Sequence, residues 1–129
     1  IDLGVDDRVR FVGSVPQAEL KNWFSASDFS ILASMREGSP NVVLESIACG
    51  TPVIATDVGG ASEIITSPDA GRLMSARTPE ALATAIQDLR ASPPDRKATR
   101  AWAENFSWEP TIEAQVALYR DIVAQDRRS

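Results

Sequence analysis

The sequence has no histidine and a single cysteine, Cys49. One cysteine cannot close an internal disulfide, and without histidine or a second thiol neither a zinc site nor a Cys–His nucleophile pair can be assembled. No metal ligand set is expected, and a reducing, cytoplasmic setting fits the lone thiol. Lysine is almost as scarce, with only Lys21 and Lys97 present. The 13 basic and 18 acidic residues leave a net charge of -5 without a run of like sign. There is therefore no basic stripe of the kind that neutralises a phosphate backbone, and no nucleic acid is expected as a partner. Long hydrophobic runs are missing too. The longest, Val42 to Ala55, is broken by Glu45, Ser46, Gly50, Thr51 and Pro52, so nothing in the sequence reads as a helical membrane span or a signal peptide.

What is present is an ordinary globular mixture, 43% hydrophobic and 24% charged over 129 residues, enough for one domain with one core. The opening Ile1-Asp2-Leu3-Gly4-Val5-Asp6-Asp7 lacks a methionine and reads as the tail of a helix and a turn, so a portion upstream is expected. Short apolar runs alternate with amphipathic stretches, the pattern of an α/β fold with a parallel sheet covered by helices on both faces. The expected strands are Val9 to Val12, Phe29 to Ala33, Val53 to Thr56 and Gly71 to Met74. Helices are expected over Gln17 to Ala26, with Ala18, Leu20, Trp23 and Phe24 inward, and over Pro40 to Cys49. A short one follows Gly60, and another runs from Pro79 to about Ala91. Beyond Pro93-Pro94 the chain reads as helical, over about Asp95 to Asn105 and Glu109 to Gln125, the latter with Ile112, Val116, Tyr119 and Val123 on one side. Asp126 to Ser129 reads as a fraying tail. There is no internal repeat.

Open parallel sheets bind ligands beyond the carboxyl ends of their strands, so the turns after Val12, Ala33 and Thr56 carry the functional information. After Ala33 comes Ser34-Met35-Arg36-Glu37-Gly38-Ser39-Pro40-Asn41, then a nearly apolar helix holding Glu45. Ser39 suits the cap and Pro40 the first helical position, so free backbone N–H groups and the positive dipole end are expected to face a cleft as an anion site. A rise of about 1.5 Å per residue puts Glu45 roughly 9 Å from that cap. On a helical wheel Val43, Leu44, Ile47 and Ala48 form the buried stripe, with Glu45 at its margin beside Val42 and Cys49. From spacing alone the commoner reading is that Glu45 reaches solvent or pairs with an arginine; the sharper one is that ribose hydroxyls donate to it. Glu37, in the preceding loop, is either a sugar-hydroxyl acceptor or an exposed loop glutamate. Gly38 either admits a ligand close to the backbone or serves the turn. The Gly59-Gly60 pair opens the next helix without forming a dinucleotide fingerprint, and a tight strand-to-helix connection explains it best. Gly13-Ser14 either faces a base edge or simply turns the chain.

Taken together, Arg10-Phe11-Val12-Gly13, Ser34 with Glu37-Gly38, Asn41-Val42-Val43-Leu44-Glu45, Cys49-Gly50-Thr51-Pro52-Val53 and Gly59-Gly60 with Glu63 occur in an order and spacing that resembles the C-terminal domain of group 1 glycosyltransferases (glycosyltransferase family 4, GT-B fold). The resemblance covers essentially the whole chain. It implies a Rossmann-like sheet truncated at its N-terminal side, with the acceptor-binding N-terminal domain and the first part of this domain absent from residues 1–129. It implies that Glu37 acts at the reacting centre and that Gly38, Ser39, Pro40, Asn41 and Val42 surround the donor sugar and diphosphate. By the same resemblance Glu45 holds the ribose; the Gly13-Ser14 turn is the candidate for the base side on its own residues. The implied reaction is retaining transfer of a hexose from a nucleotide diphosphate sugar, with no cofactor and no bound metal, in a cytoplasmic enzyme peripheral to the inner membrane face. The basic residues that such domains set against the diphosphate belong to the absent portion; Arg36 is the nearest candidate here. The fragment is expected to be inactive alone, and its last helix to expose an apolar face that promotes self-association.

Three other readings compete. A nucleotide-sugar epimerase of related GT-B fold would bind a similar donor, and a non-catalytic Rossmann-like module would keep the fold alone. A signalling receiver with Asp57 as phosphate acceptor would need an acidic pair after the first strand and a lysine after a late one, where Gly13-Ser14 and Arg72-Leu73 stand.

Overall fold

The computed structural model describes residues 4–126. The expected helix tail at Ile1 to Leu3, and the tail from 127 onward, lie outside the described residues. After a single 3-10 turn at Asp6–Arg8, the elements follow as α1 (Gln17–Ala26), β1 (Ser30–Leu32), α2 (Asn41–Ala48), β2 (Val53–Thr56), α3 (Ala61–Ile64), β3 (Gly71–Met74), α4 (Pro79–Ala91), α5 (Arg96–Ala103) and α6 (Glu109–Asp126). Asp126 is thus the last residue of a helix rather than part of a tail.

The described strands form one parallel sheet in the order β1-β2-β3, with Ser30 opposite Val53 and Val53 opposite Gly71. All four residues of β2 are buried, as a strand covered on both faces must be. Alternation along β2 sends Val53 and Ala55 to one core, with Val43, Ile47, Ala61 and Ile64, while Ile54 joins Met74, Ala85 and Leu89 under α4 on the other. Each buried aliphatic side chain contributes about 1.5–3 kcal/mol to holding the layers together. Gly71 begins β3 because a Cβ there would lie 1.8 Å from the Val53 carbonyl oxygen; only glycine lets β3 approach β2 at that point.

Three expectations fail in instructive ways. Val9 to Val12 is not a strand, and Val9, Phe11 and Val12 are exposed, Phe11 at 95%. A strand needs a neighbour for its backbone groups, and the free edge of β1, where Ile31 is 46% exposed, is not paired with it. Within α1, Leu20 and Phe24 are half-buried but Ala18 and Trp23 face solvent, because α1 packs on α2 alone among the helices it contacts substantially. On α2 the buried stripe is Val43, Ser46 and Ile47, with Leu44 half-buried and Ala48 exposed. Ser46 is tolerated at the centre because its hydroxyl donates to the Thr51 carbonyl at 2.9 Å, leaving Ser30 Oγ, 2.8 Å away, to donate to it.

One side chain ties the helices together. Arg96, at the start of α5, donates to the carbonyls of Ser25, Ser27 and Cys49 and to Thr51 Oγ1 at 2.8–3.3 Å. A guanidinium placed at the carboxyl ends of both α1 and α2 satisfies orphan carbonyls and meets two negative dipole ends. Farther along, Trp102 Nε1 donates to the Ile64 carbonyl at 2.9 Å and Thr99 Oγ1 to the Asp69 carbonyl at 2.8 Å. These bonds fix α5, which packs on α2, to the end of α3 and the loop before β3, and set where the chain leaves for α6. Ile112, Val116, Tyr119 and Val123 on α6 are all exposed. Among the described residues no helix is long and apolar enough to cross a membrane.

Candidate functional site

Helix α2 starts one residue later than its sequence indicates. Pro40 is the N-cap and no side chain caps the helix, so Ser39 stands before the cap and not at it. The extended backbone that Pro40 requires before the helix moves the boundary to Asn41. The first-turn N–H groups are therefore left without a side-chain acceptor at the carboxyl edge of the sheet, and the dipole end with them. Glu45 lies five residues on, about 7.5 Å along the helix axis.

The two glycines after β2 explain how the loop before α2 is shaped. Gly60 N–H donates to the Gly38 carbonyl at 2.7 Å. Gly59 has φ +55, and a Cβ built on it would lie 1.9 Å from the Glu37 carbonyl oxygen. The diglycine turn therefore approaches the Glu37–Gly38 backbone, so its close approach is to protein and it fixes the loop that presents Glu37.

A cavity of about 620 Å³ opens over the start of α2 and is lined by Ser39, Asn41, Glu45, Gly60 and Glu63 on one side. Its other wall is the linker between α5 and α6, with Asn105, Phe106, Ser107 and Trp108. Ser39, Asn41 and Glu45 are thus brought together. Glu37, half-buried, does not line this cavity, nor do exposed Gly38, buried Pro40 and partly exposed Val42. Gly13 and Ser14 are exposed and lie outside it as well, in the segment leading into α1.

No lysine or arginine among the described residues stands within ion-pair distance of Glu45. Gln17 Nε2, on the first residue of α1, donates instead to Glu45 Oε1 at 2.9 Å. The arginine-pairing alternative for this half-buried carboxylate is thereby set aside. A carboxylate has about four lone-pair sites, so Glu45 retains acceptor capacity. At the far wall the Ser107 hydroxyl, and next the backbone of Glu109, hydrogen-bond the Glu109 carboxylate and hold it below its ordinary 4.5.

Other residues at the rim carried little sequence signal. Arg77, after β3, donates from Nε to the Ala33 carbonyl at 2.8 Å. It lines a cleft of about 270 Å³ across the carboxyl ends of the strands with Ser34, Met35 and Asp57. The strand-end rule that marked the turns after Ala33 and Thr56 applies to it equally. Trp108, 75% exposed, and Asn105 reach the cavity only because α5 folds back over α2, which no local pattern encodes. Among the described residues no group of three or more His, Cys, Asp or Glu is placed to hold a metal ion.

Parallel strands with an uncapped helix end at their carboxyl edge are features of a Rossmann-like domain, and that helix end is where such folds accept anions. Comparison with known proteins gives the class a name: residues 1–92 match the glycosyl transferases group 1 family. The chain belongs to that family. It is 36% identical over 122 residues to a D-inositol 3-phosphate glycosyltransferase of Kribbella flavida, covering 92% of this chain and 29% of the relative. A protein of the same description from Rhodococcus opacus is 38% identical over 122 residues, covering 92% and 27%. Among solved structures, a sucrose-phosphate synthase from Thermosynechococcus elongatus superposes with a TM-score of 0.80 at 34% identity, covering 95% of this chain and 32% of that one. A glycosyltransferase from Rickettsia africae gives 0.65 at 27% identity, covering 79% and 29%. The expected GT-B type of fold is thus established. The chain spans under a third of the length of these curated relatives.

Proposed function

We propose that residues 1–129 form the donor-binding part of a retaining glycosyltransferase that moves a hexose from a nucleotide diphosphate sugar to an acceptor held by another part of the protein. The observation that carries this reading is the meeting of Glu45, Asn41 and Ser39 in one cavity at the uncapped start of α2. In this account the ribose hydroxyls donate to Glu45, and the diphosphate lies against the N–H groups of Asn41 and Val42. The bond between the anomeric carbon and the diphosphate oxygen breaks, and the negative charge that grows on the leaving group is stabilised by the helix end. The acceptor hydroxyl oxygen then bonds to the anomeric carbon on the face the diphosphate left, and its proton passes to the departing diphosphate oxygen. Glu37 accepts hydrogen bonds from the sugar near that carbon, in a loop braced by Gly59 and Gly60.

The acceptor is a matter for the rest of the protein; the inositol phosphate in the names of the similar proteins makes a phosphorylated cyclitol the first to try. The nucleotide sugar is a substrate, so the reading invokes no cofactor, and the cytoplasmic setting expected from the sequence goes with it. Residues 1–129 alone should not transfer sugar, because they span under a third of the length of the transferases they resemble. The exposed apolar residues of α6 are the face we assign to contact with another part of the protein or, in the isolated chain, with a second copy.

The test is Glu45→Ala in the full-length protein, read as affinity for uridine, guanosine and adenosine diphosphate sugars. Loss of charge-assisted hydrogen bonds to the ribose should weaken the preferred donor by about 10- to 100-fold. Unchanged affinity would remove the ribose assignment.

A further inference from the structure

Glu45 borders two cavities and is the residue they share. On one side is the 620 Å³ donor cavity with Ser39, Asn41 and Trp108. On the other is a smaller one of about 200 Å³ between α1 and α2, lined by Gln17, Leu20, Lys21, Phe24, Glu45 and Cys49. A half-buried carboxylate with room on both sides has no steric reason to keep one rotamer, and the Lys21 side chain in the smaller cavity draws it away from the donor. What holds it is the amide of Gln17, which donates to Oε1 at 2.9 Å and leaves acceptor capacity on the carboxylate for a ligand. The donor is itself held in place: Arg96 bonds the Ser25 and Ser27 carbonyls at the end of α1, and Thr51 Oγ1 donates to the Phe24 carbonyl at 2.6 Å.

We infer that Gln17 is a positioning residue for nucleotide recognition: its amide orients the Glu45 carboxylate toward the ribose and couples it to the segment carrying Gly13 and Ser14. This rests on the donor-site reading above and adds a residue to it 28 positions away in sequence. Because Arg96 and Thr51 secure α1 independently, removing the amide frees Glu45 without releasing the helix. An amide suits the task because it donates whatever the pH. A carboxylate in its place could not donate and would repel Glu45.

The experiment uses the full-length protein with uridine diphosphate glucose, guanosine diphosphate mannose and adenosine diphosphate glucose as separate probes, measured by calorimetry at neutral pH. Gln17→Leu should weaken the preferred probe about fivefold, the value of one orienting hydrogen bond. It should leave kcat within twofold and the thermal midpoint within about 2 °C. Gln17→Glu, which sets a carboxylate where the N–H donor stood, should weaken it about tenfold. Equal or tighter binding by Gln17→Leu, or Gln17→Glu binding the probe as tightly as wild type, overturns the inference. If Glu45→Ala binds as wild type, or no probe binds the wild type, the donor-site reading itself falls; if Glu45→Ala weakens binding while the Gln17 variants do not, only the inference does.

Discussion

Replacing Gly59 by alanine would place a Cβ 1.9 Å from the Glu37 carbonyl oxygen and 3.0 Å from that of Gly38, in a backbone with φ +55. Restoring even a 3.0 Å separation requires the Glu37 carbonyl and the turn to part by about 1.1 Å. The left-handed conformation costs alanine about 1–2 kcal/mol, and disturbing the 2.7 Å bond from Gly60 N–H to the Gly38 carbonyl costs roughly 1 kcal/mol more. A loss of about 2–3 kcal/mol in stability is therefore expected by urea denaturation. The larger effect is on chemistry, because a displacement near 1 Å of a group at a reacting centre costs on the order of 100-fold in rate. In the full-length protein, kcat for sugar transfer should fall about that far, while affinity for the nucleoside diphosphate, which depends on Glu45 and the start of α2, should stay within threefold. Gly38→Ala is the control for the contact, since a Cβ there meets nothing within 4 Å and stability should hold within about 0.5 kcal/mol. A Gly59→Ala enzyme with wild-type kcat would refute the claim that the diglycine turn positions the Glu37 loop. Equal losses of rate and nucleotide affinity would refute it too, by showing that all of α2 had moved.

Two further perturbations test the frame around the site. Arg96→Ala deletes four hydrogen bonds to Ser25, Ser27, Cys49 and Thr51, and should destabilise the chain by about 2–3 kcal/mol, with Arg96→Lys recovering less than half because an ammonium cannot span the same acceptors. A urea midpoint shift worth under about 1 kcal/mol would show that the clamp is incidental. The isolated chain should self-associate through α6, and Ile112→Glu with Tyr119→Glu should return it to a monomer; a wild-type monomer at high concentration by light scattering would rule this out.

Much of the fold was legible in local pattern. The bounds of α1, β2, β3 and α4 follow directly from apolar periodicity, proline placement and turn residues, because each of those elements satisfies its backbone within itself or against an adjacent strand. The Glu45 position at the margin of the α2 stripe was equally readable, since a helical wheel depends only on spacing. Val9 to Val12 shows the limit: its composition is that of a strand, yet strand formation is a property of a pair, and its partner is not beside it. Ser46 shows another, for a hydroxyl is buried at the centre of α2 only because Ser30 and the Thr51 carbonyl, distant in sequence, complete its hydrogen bonds.

The candidate site divides along the same line. Sequence alone determined the family pattern and the acidic residue on α2, because these are fixed by residue identity and regular spacing. Tertiary structure alone decided that Gln17 meets Glu45, that Gly59 presses on Glu37, and that the segment around Trp108 walls the cavity. Those are contacts between elements far apart along the chain, set by how the layers pack, and packing depends on the shape and volume of every neighbour at once and so leaves no short signature to read.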